Sequence, residues 1–405
     1  MKTSFRRSLY NVFFRLSPLL ILVLLELSLR FLGLGESYTL FRESGDGSHY
    51  ELNPAYYRRF VSAEQFPDVK VLDQRFPVEK PAGSKRVFLI GDQSFCMLFP
   101  EANREQVLRD FYGPDSTRYD IVQIAVPLSN SFALTHIVKK LAFYDADACI
   151  VLSGAAEFYG LPQKSGWVRD IDNYWGLRAY VTLKAHRFLQ VLDRFVYLKK
   201  DGNTRFPPRN IDEWIISGGS PAYEQVLSYY ARNLSSMARL AEFPLYFVNP
   251  PVNLNRRPYR SDFNDKEMKD EELARECAIL VDNADRFSID RWIGELQAWE
   301  PETAIYYYCR AMINERRGEA PEAVGNYEKA LALDVFRVRP QPDAAELIRE
   351  MTAGEAASLI DVQEAMKAHS AEGLNIDRYF RDGLSLNGDG KEIVLSMLRS
   401  ALTEQ

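Results

Sequence analysis

Candidate nucleophiles follow the first buried strand that the sequence predicts. Ser94 and Cys96 come shortly after Gly91, the glycine that ends the apolar run. A hydroxyl or thiol nucleophile is activated by an adjacent base, most often an imidazole that a carboxylate orients. The only histidine in the C-terminal half of the chain is His369, thirteen residues before Asp382. The sequence therefore supplies nucleophiles and a carboxylate, but no histidine spaced to serve as their base.

Polar loops also follow two other predicted strands. They span residues 126–131 and 154–157, and a further polar loop, residues 380–390, precedes the last predicted helix. In open α/β sheets, ligands bind where strands end and loops begin. We therefore expect a functional site at the edge of a sheet where these loops and residues 91–94 lie.

The elements that position these loops are short apolar strands that alternate with helices. Helical spacing of apolar residues occurs in residues 131–143, 221–242 and 343–351. The alternation has the period of βαβ units, which predicts an α/β fold with a parallel sheet and right-handed crossovers. The predicted strands are Lys85–Gly91, Tyr119–Val126, Ala148–Leu152, Pro244–Asn249 and Ala357–Val362.

The N-terminal segment differs in composition from the rest of the chain. Residues 8–35 are apolar apart from Arg15, Glu26 and Arg30, and the run Leu16–Leu25 carries no charge. With its flanks, this run is long enough to cross a bilayer as one helix of about 20 residues. Glu26 and Arg30 are four residues apart, so that they share a helix face and pair. We therefore predict a transmembrane signal anchor.

The charge balance separates this anchor from the body of the protein. Residues 1–35 hold five basic groups and one acidic group, and most of the basic groups precede the apolar run. By the positive-inside rule, the N-terminus lies in the cytoplasm and the rest lies outside. Residues 36–405 carry 45 basic and 55 acidic groups, a net charge of −10. An acidic body without a basic stripe argues against nucleic acid as a partner.

The overall composition is that of a globular protein. Aromatic residues make up 13% of the chain, which excludes disorder, and four cysteines in 405 residues exclude a disulfide scaffold. Cys149 lies in an apolar strand and Cys96 follows another, and both are predicted to be core residues. Cys277 and Cys309 could pair only if two helices brought them together, and the sequence leaves this open. No motif for a cofactor or a metal ion is present.

The body is predicted to be one domain, residues 85–405, preceded by a stalk or covering segment, residues 36–84. Two insertions lengthen the domain. Residues 161–220 are rich in Trp, Tyr and Arg, contain a predicted helix Leu177–Leu198, and would form either a lid or an interaction surface. Residues 264–336 are helical and acidic.

The second insertion contains a helical hairpin that resembles a tetratricopeptide unit. Residues 303–335 read as two helices with Gly318 between them, and the alternative is a plain helical hairpin. One such unit cannot bury its own apolar face, so it must pack on the preceding helix or on a partner. The residues on that face of the second helix are Ala323, Tyr327, Ala330 and Leu331.

Together the strand-end loops resemble those of the SGNH (GDSL) hydrolases. The resemblance is closer to a bacterial, membrane-anchored branch that inserts tetratricopeptide helices before its last motif. It runs from about Lys85 to the C-terminus, and Pro250–Pro258 (PPVNLNRRP), residues 231–234 (ARNL) and the pair Asn130-Ser131 also fit it. The resemblance implies a three-layer, flavodoxin-like domain, an inner-membrane location with the domain in the periplasm, and ester or acyl chemistry.

The catalytic positions that the resemblance assigns are mostly altered. Gln93 stands where the family has its serine nucleophile, and Leu128 where the second motif has glycine. Ala156 replaces the asparagine of the oxyanion hole. Asp382 matches the acid of the family, but Ser385 replaces the histidine base three residues later. Acyl transfer by this set needs the nucleophile, the base and the oxyanion donors together, so we expect no intact catalytic set, with Asp382 the one residue that remains.

Two kinds of function remain open at the level of the sequence. The first is a pseudoenzyme that serves as a binding or assembly subunit, with an acylated glycan or lipid as ligand and membrane-protein partners. A variant of it makes the soluble domain chiefly a scaffold docked to a larger membrane complex. The alternative is an active O-acyl esterase or acetyltransferase on envelope polysaccharide or lipid that uses Ser94 as nucleophile. Ser94 is one residue beyond the family's position, which rotates its side chain by about 100° on a helical turn.

Overall fold

The computed structural model describes residues 2–60, 75–92, 119–125, 129–160, 173–197, 215–261, 267–283, 286–299, 302–354, 356–370, 374–382 and 385–403. The chain forms two compact units. The first contains Met1–Arg42, Asn53–Val69 and Lys164–Arg209, and the second contains Glu43–Leu52, Lys70–Gln163 and Asn210–Gln405.

The described elements are numbered in chain order. The strands are β1 (Phe41–Glu43), β2 (His49–Leu52), β3 (Arg75–Pro77), β4 (Lys85–Gly91), β5 (Tyr119–Ala125), β6 (Ala148–Leu152), β7 (Leu245–Asn249) and β8 (Ser358–Asp361). The helices are α1 (Lys2–Phe31), α2 (Ser131–Leu141), α3 (Tyr174–Leu183), α4 (Arg187–Tyr197), α5 (Pro221–Leu240), α6 (Glu267–Asn283), α7 (Arg286–Trp299), α8 (Ala304–Arg317), α9 (Ala320–Leu333), α10 (Pro342–Thr352), α11 (Val362–Ala368) and α12 (Gly388–Thr403).

A five-stranded parallel sheet in the order β5-β4-β6-β7-β8 forms the centre of the second unit. The predicted α/β fold with a parallel sheet is confirmed. Every residue of β6 and β7 is buried, as expected for the nearly continuous apolar runs of strands that are covered on both faces. Parallel pairing brings the carboxyl ends of all five strands to one edge.

Helices cover both faces of this sheet. On one face, Val87 and Leu89 of β4 share a core with Val394 and Leu398 of α12. Successive side chains of a strand point to opposite faces, so Phe88 points to the other face of the sheet. Helices α2 and α5 pack against each other, and α10 packs on α5 and β7.

A buried arginine fixes the start of β4. Arg86 is fully buried, and its Nε donates to Asp120 Oδ2 of β5 at 2.7 Å. Its Nη2 donates to the carbonyl of Pro77 at the end of β3 at 2.8 Å. The guanidinium lies 4.9 Å from the ring centroid of Phe76, a cation–π contact. The charge is therefore fully paired inside the domain.

Within the described residues of the second insertion, the chain forms the helices α6, α7, α8 and α9. Gly318 ends α8 in the left-handed conformation, with φ of 74°, which favours glycine. The predicted inward residues of α9 are buried, and α8 packs against α6 and α7. The helical hairpin is thus present, while its likeness to a tetratricopeptide unit stays a prediction. Cys277 and Cys309 are buried free thiols, and Cys277 Sγ donates to the Cys309 carbonyl at 3.7 Å.

The predicted single helix Leu177–Leu198 is wrong, because the structure has two helices, α3 and α4. The N–H of Lys184 bonds back to the carbonyls of Thr182 and Tyr180, which closes α3. The first turn of α4 is capped by Glu26 of α1, whose Oε2 accepts from Phe188 N at 3.1 Å. The cap is distant in sequence, so no local breaker marks the end of either helix.

The N-terminal segment forms one helix, α1. The predicted pair within it is present, with Arg30 Nε donating to Glu26 Oε1 at 2.8 Å. Across the described helices, none combines the length and the apolar character that crossing a membrane requires. The predicted transmembrane span is not supported by this finding.

Candidate functional site

The first strand-end loop begins at Asp92. Asp92 directly follows β4 and is 1% exposed. The next positions that sequence analysis singled out, Gln93, Ser94 and Cys96, lie outside the described residues, as does Leu128 after β5. Their assignments stay predictions.

A buried hydrogen-bond network joins the second and third loops. Asn130 caps α2, where its Oδ1 accepts from Ala133 N at 3.4 Å. The next residue, Ser131, donates from N to Glu157 Oε1 at 2.8 Å and from Oγ to Glu157 Oε2 at 2.7 Å. Asn233 of α5 donates from Nδ2 to Ser131 Oγ at 2.9 Å. The network holds the two loops to each other and to α5.

Burial controls the charge of Glu157. Removal from water raises the pKa of its carboxyl to about 7, against the hydrogen bonds from Ser131, and the nearby Asp92 carboxylate adds to the rise. Burial, followed by the charge of Glu157, also raises the pKa of Tyr230. The Tyr230 hydroxyl lies 3.0 Å from Ser153 Oγ. Glu157 therefore titrates near neutral pH inside the domain.

The third loop is closely packed at the position predicted for the oxyanion hole. Gly154 has φ of +113°, and a Cβ there would lie 3.4 Å from the Tyr230 hydroxyl and 3.6 Å from Pro250 Cγ. Ala156 is 1% exposed, and its methyl group offers no donor. An oxyanion hole needs donors aimed at the developing charge, so the side chain at this position supplies none.

Asp382 and Ser385 form a turn in the C-terminal loop. Asp382 Oδ1 accepts from Ser385 N at 2.7 Å, and Arg381 N donates to Ser385 O at 2.8 Å. Asn253 Nδ2 donates to Asp382 O at 3.2 Å and to Asp377 Oδ1 at 2.7 Å. The turn is thus tied to the segment after β7, the same segment in which Pro250 approaches Gly154. The structure brings the third and the C-terminal loops to one edge of the sheet through this segment.

Sequence analysis missed two residues of this network, Tyr230 and Asn233. Both lie on the buried face of α5, where neighbouring positions such as Val226 and Leu234 are apolar. Asn233 falls in residues 231–234 (ARNL), which fit the family resemblance. The resemblance assigns no role to the Asn233 side chain. A polar residue at a core position of an amphipathic helix was the available signal, because buried polar groups need partners.

The Ser131–Glu157 pair has the composition of a nucleophile and a base, but its surroundings exclude that use. Ser131 is fully buried, and its hydroxyl oxygen is already engaged by Asn233. No substrate carbonyl can approach it, so the pair fixes structure. In the part of the chain that the structure describes, no cluster of three His, Cys, Asp or Glu side chains is arranged to hold a metal ion.

A separate cavity of about 510 Å³ lies between the helical insertion and the segment after β7. Its apolar lining includes Tyr308, Met312 and Tyr327. Its size is in the range of small-molecule sites. Two exposed arginines also line the cavity. Arg256 comes from the segment after β7, and Arg316 comes from α8. Glu315 and Asp377 also line the cavity, so its lining combines apolar faces with charges of both signs.

Comparison with known proteins gives solved structures only. A GDSL-like lipase from Bacteroides thetaiotaomicron is 11% identical, with 79% of this chain and 88% of that chain covered and a TM-score of 0.34. An alpha/beta hydrolase enzyme from the metagenome of Lake Arreo is 10% identical, with 80% and 97% covered and a TM-score of 0.35. No family model and no curated protein matches the chain. Likeness at this level carries no conclusion about activity.

Proposed function

We propose that this chain is a membrane-attached, SGNH-hydrolase-like protein that binds a ligand without cleaving it and serves as a subunit of a bacterial envelope assembly. One observation carries the proposal. The carboxylate of Asp382, at the position of the family's acid, accepts the backbone N–H of Ser385, at the position of the family's base. A serine here offers no imidazole for the carboxylate to orient, so the acid and base pair of the family is replaced by a turn.

The third loop supports the same proposal. Ala156 provides a buried methyl group where an oxyanion donor is needed. Removal of one such donor alone lowers catalysis by about two to three orders of magnitude. Loss of the base and the donor together leaves only weak residual catalysis.

The ligand site that we assign to this function is the cavity beside the helical insertion. Arg257 is held by Glu271 at 3.0 Å, whereas the exposed Arg256 and Arg316 face solvent at the cavity lining. Guanidinium groups pair well with carboxylate or phosphate, and the tyrosines offer apolar faces. An acylated glycan or lipid with an acidic group fits this lining.

Membrane attachment is assigned to α1. Its apolar side chains, Leu19 to Leu25, are between 41% and 63% exposed, so they lack a protein covering. Apolar surface of this extent marks a membrane or a partner. Basic residues flank it on the N-terminal side, and the periplasmic location of the second unit follows from that flank.

Activity measurements on the full chain in mild detergent test the absence of hydrolysis. We expect no turnover of p-nitrophenyl acetate above buffer and no labelling by a fluorophosphonate probe. The matched variant restores the family's residues as Gln93→Ser, Ala156→Asn and Ser385→His together. Activity in this variant, with none in the unaltered chain, would show that the site still binds substrate and lacks only the catalytic side chains.

The alternative function, an esterase or acetyltransferase that uses Ser94, predicts the opposite result. Burst hydrolysis by the unaltered chain that Ser94→Ala abolishes would overturn the proposal.

The assembly role predicts that mild-detergent extraction recovers the chain with partners in fixed stoichiometry. Recovery as a lone monomer would count against that role. Ligand binding is measured separately, by mass spectrometry of the intact protein.

A further inference from the structure

Helix α4 is attached to the C-terminal end of α1 at one defined level. Glu26 lies at that level, and its side chain is 12% exposed. Glu26 Oε2 accepts from Phe188 N at 3.1 Å, so the carboxylate caps the first turn of α4. The other carboxylate oxygen pairs with Arg30 at 2.8 Å. One side chain thus joins the two helices.

Further hydrogen bonds make this attachment rigid. Arg187 Nη1 donates to the carbonyl of Leu34 at 3.0 Å. Gln190 bonds to both backbone groups of Glu36, with Oε1 accepting from N at 2.8 Å and Nε2 donating to O at 3.1 Å. The buried Arg59 donates from Nε to the carbonyl of Val181, which holds the end of α3. The α3–α4 pair therefore has a fixed position relative to residues 26–36.

This level is also the end of the uncharged run of α1, beyond which Phe31 and Leu32 are still exposed apolar side chains. The uncharged run stops at Leu25, and Glu26 and Arg30 follow it. When such a run enters a bilayer, the first charged residues lie in the headgroup region, because charges are costly in the hydrocarbon. Residues that are hydrogen-bonded to Glu26 therefore lie at the same depth in the bilayer. Helices α3 and α4 are bonded there.

The α3–α4 pair has the surface that a headgroup region favours. Trp175 is 66% exposed, and Leu183 and Leu192 are 48% and 52% exposed. Arg178 lies 5.7 Å from the Trp175 ring centroid, which places a cation beside an interfacial aromatic residue. Over residues 187–192 of α4, helical spacing places the apolar residues on one face and Arg187 and Gln190 on the other. Amphipathic helices of this kind lie in the plane of the interface.

Charge complementarity identifies the partner. Residues 173–197 contain four basic groups and one acidic group, whereas residues 36–405 as a whole carry a net charge of −10. The segment bonded to the end of α1 is thus net basic because it contains few acidic groups. Its partly exposed basic side chains include Arg178 and Arg187, whereas Lys184 is buried. Anionic lipid headgroups attract basic side chains of a helix that lies at the membrane surface.

We propose that α3 and α4 form a membrane-surface platform that lies among the headgroups of an anionic bilayer, held at that depth by Glu26. The inference rests on the proposed attachment of α1 to the membrane. It assigns a lipid surface as the partner of the helical part of the insertion that the structure describes, residues 173–197. Trp175 marks the depth of the platform.

Quenching of tryptophan by brominated lipids tests this placement. The full chain is reconstituted into vesicles of phosphatidylcholine and phosphatidylglycerol, with bromine either near the headgroup or near the ends of the acyl chains. We expect quenching only by the shallow bromine, its loss in Trp175→Phe, and its persistence in Trp292→Phe, a matched change in α7. Glu26→Ala should reduce the quenching, and Glu26→Gln, which still accepts the Phe188 amide, should largely retain it.

Vesicle flotation separates the two ways in which this inference can fail. Chain that floats with the vesicles but shows no Trp175-dependent quenching would overturn the platform and leave the attachment of α1 standing. Chain that does not float would overturn both. Equal quenching by shallow and deep bromine would place the platform in the hydrocarbon and overturn the headgroup assignment.

Discussion

Ser131 holds both carboxylate oxygens of Glu157, from its backbone N at 2.8 Å and from its hydroxyl at 2.7 Å. These two residues end the loops after β5 and β6, so their contact fixes one edge of the sheet. A serine and a carboxylate have the composition of a nucleophile and a base. Their burial makes them a structural clamp instead, and it makes the clamp sensitive to pH.

Glu157→Gln is expected to flatten the dependence of stability on pH. The pKa of Glu157 is raised from 4.5 to about 7, so the folded state binds its proton more tightly than the unfolded state. That contribution is complete below about pH 4.5 and is lost as pH rises through about 7. The loss is at most about 3 kcal/mol, since one pKa unit corresponds to about 1.4 kcal/mol.

Urea unfolding at pH 5 and pH 8 measures this loss. From pH 5 to pH 8, the urea midpoint of the wild-type chain should decrease by more than the urea midpoint of Glu157→Gln. Glu392→Gln, an exposed change on α12, serves as the control and should behave as wild type. Equal pH dependence of wild type and Glu157→Gln would show that Glu157 does not titrate in this range.

Gly154→Ala should destabilise the second unit by about 1–3 kcal/mol, the usual cost of a strained backbone position. Its φ of +113° is unfavourable for any residue with a Cβ, and that Cβ would contact Tyr230 and Pro250. The matched control is Gly294→Ala in α7, where nothing lies within 4 Å. There alanine should stabilise by about 0.5–1 kcal/mol through helix propensity. Thermal unfolding of both variants should shift in opposite directions.

The sequence predicted the central sheet well because its strands are buried on both faces. Lys85–Gly91 and Ala148–Leu152 were located to the residue, since a strand covered on both sides is a continuous apolar run with clear ends. The break between α3 and α4 was missed for the opposite reason. The side chain that caps α4 at the break is Glu26, which is 162 positions from Phe188, so no local sequence pattern reveals it.

The candidate site was predictable in place but not in role. Parallel strands that end in polar loops indicated the correct edge of the sheet. Whether a polar side chain there is reactive depends on its exposure and partners, and these arise from long-range packing. Ser131 and Asn233, joined across 102 positions, illustrate this, because neither has a local signal that distinguishes a clamp from a catalytic residue.

Arg86→Met should destabilise the domain by about 3–5 kcal/mol, because it leaves Asp120 without its buried partner. The guanidinium also donates to the carbonyl of Pro77, so β3 loses a contact as well. A double-mutant cycle with Asp120→Asn measures the pair. We expect Asp120→Asn to cost clearly less in the Arg86→Met background than in wild type. Additive effects would show that the two charges do not interact.

Asp382→Ala should lower stability by about 1 kcal/mol, the usual worth of a hydrogen bond from a backbone amide to a side-chain acceptor. The Ser385 amide loses its acceptor at 2.7 Å, and the turn that Asn253 holds is loosened. Asp382→Asn retains an oxygen acceptor and should restore most of the loss, as measured by urea unfolding. Asp389→Ala, an exposed change in the first turn of α12, is the control. A structural acid predicts that ester turnover stays at the buffer level in all three variants. A wild-type turnover that Asp382→Ala and Asp382→Asn both abolish would instead identify Asp382 as part of a working catalytic set.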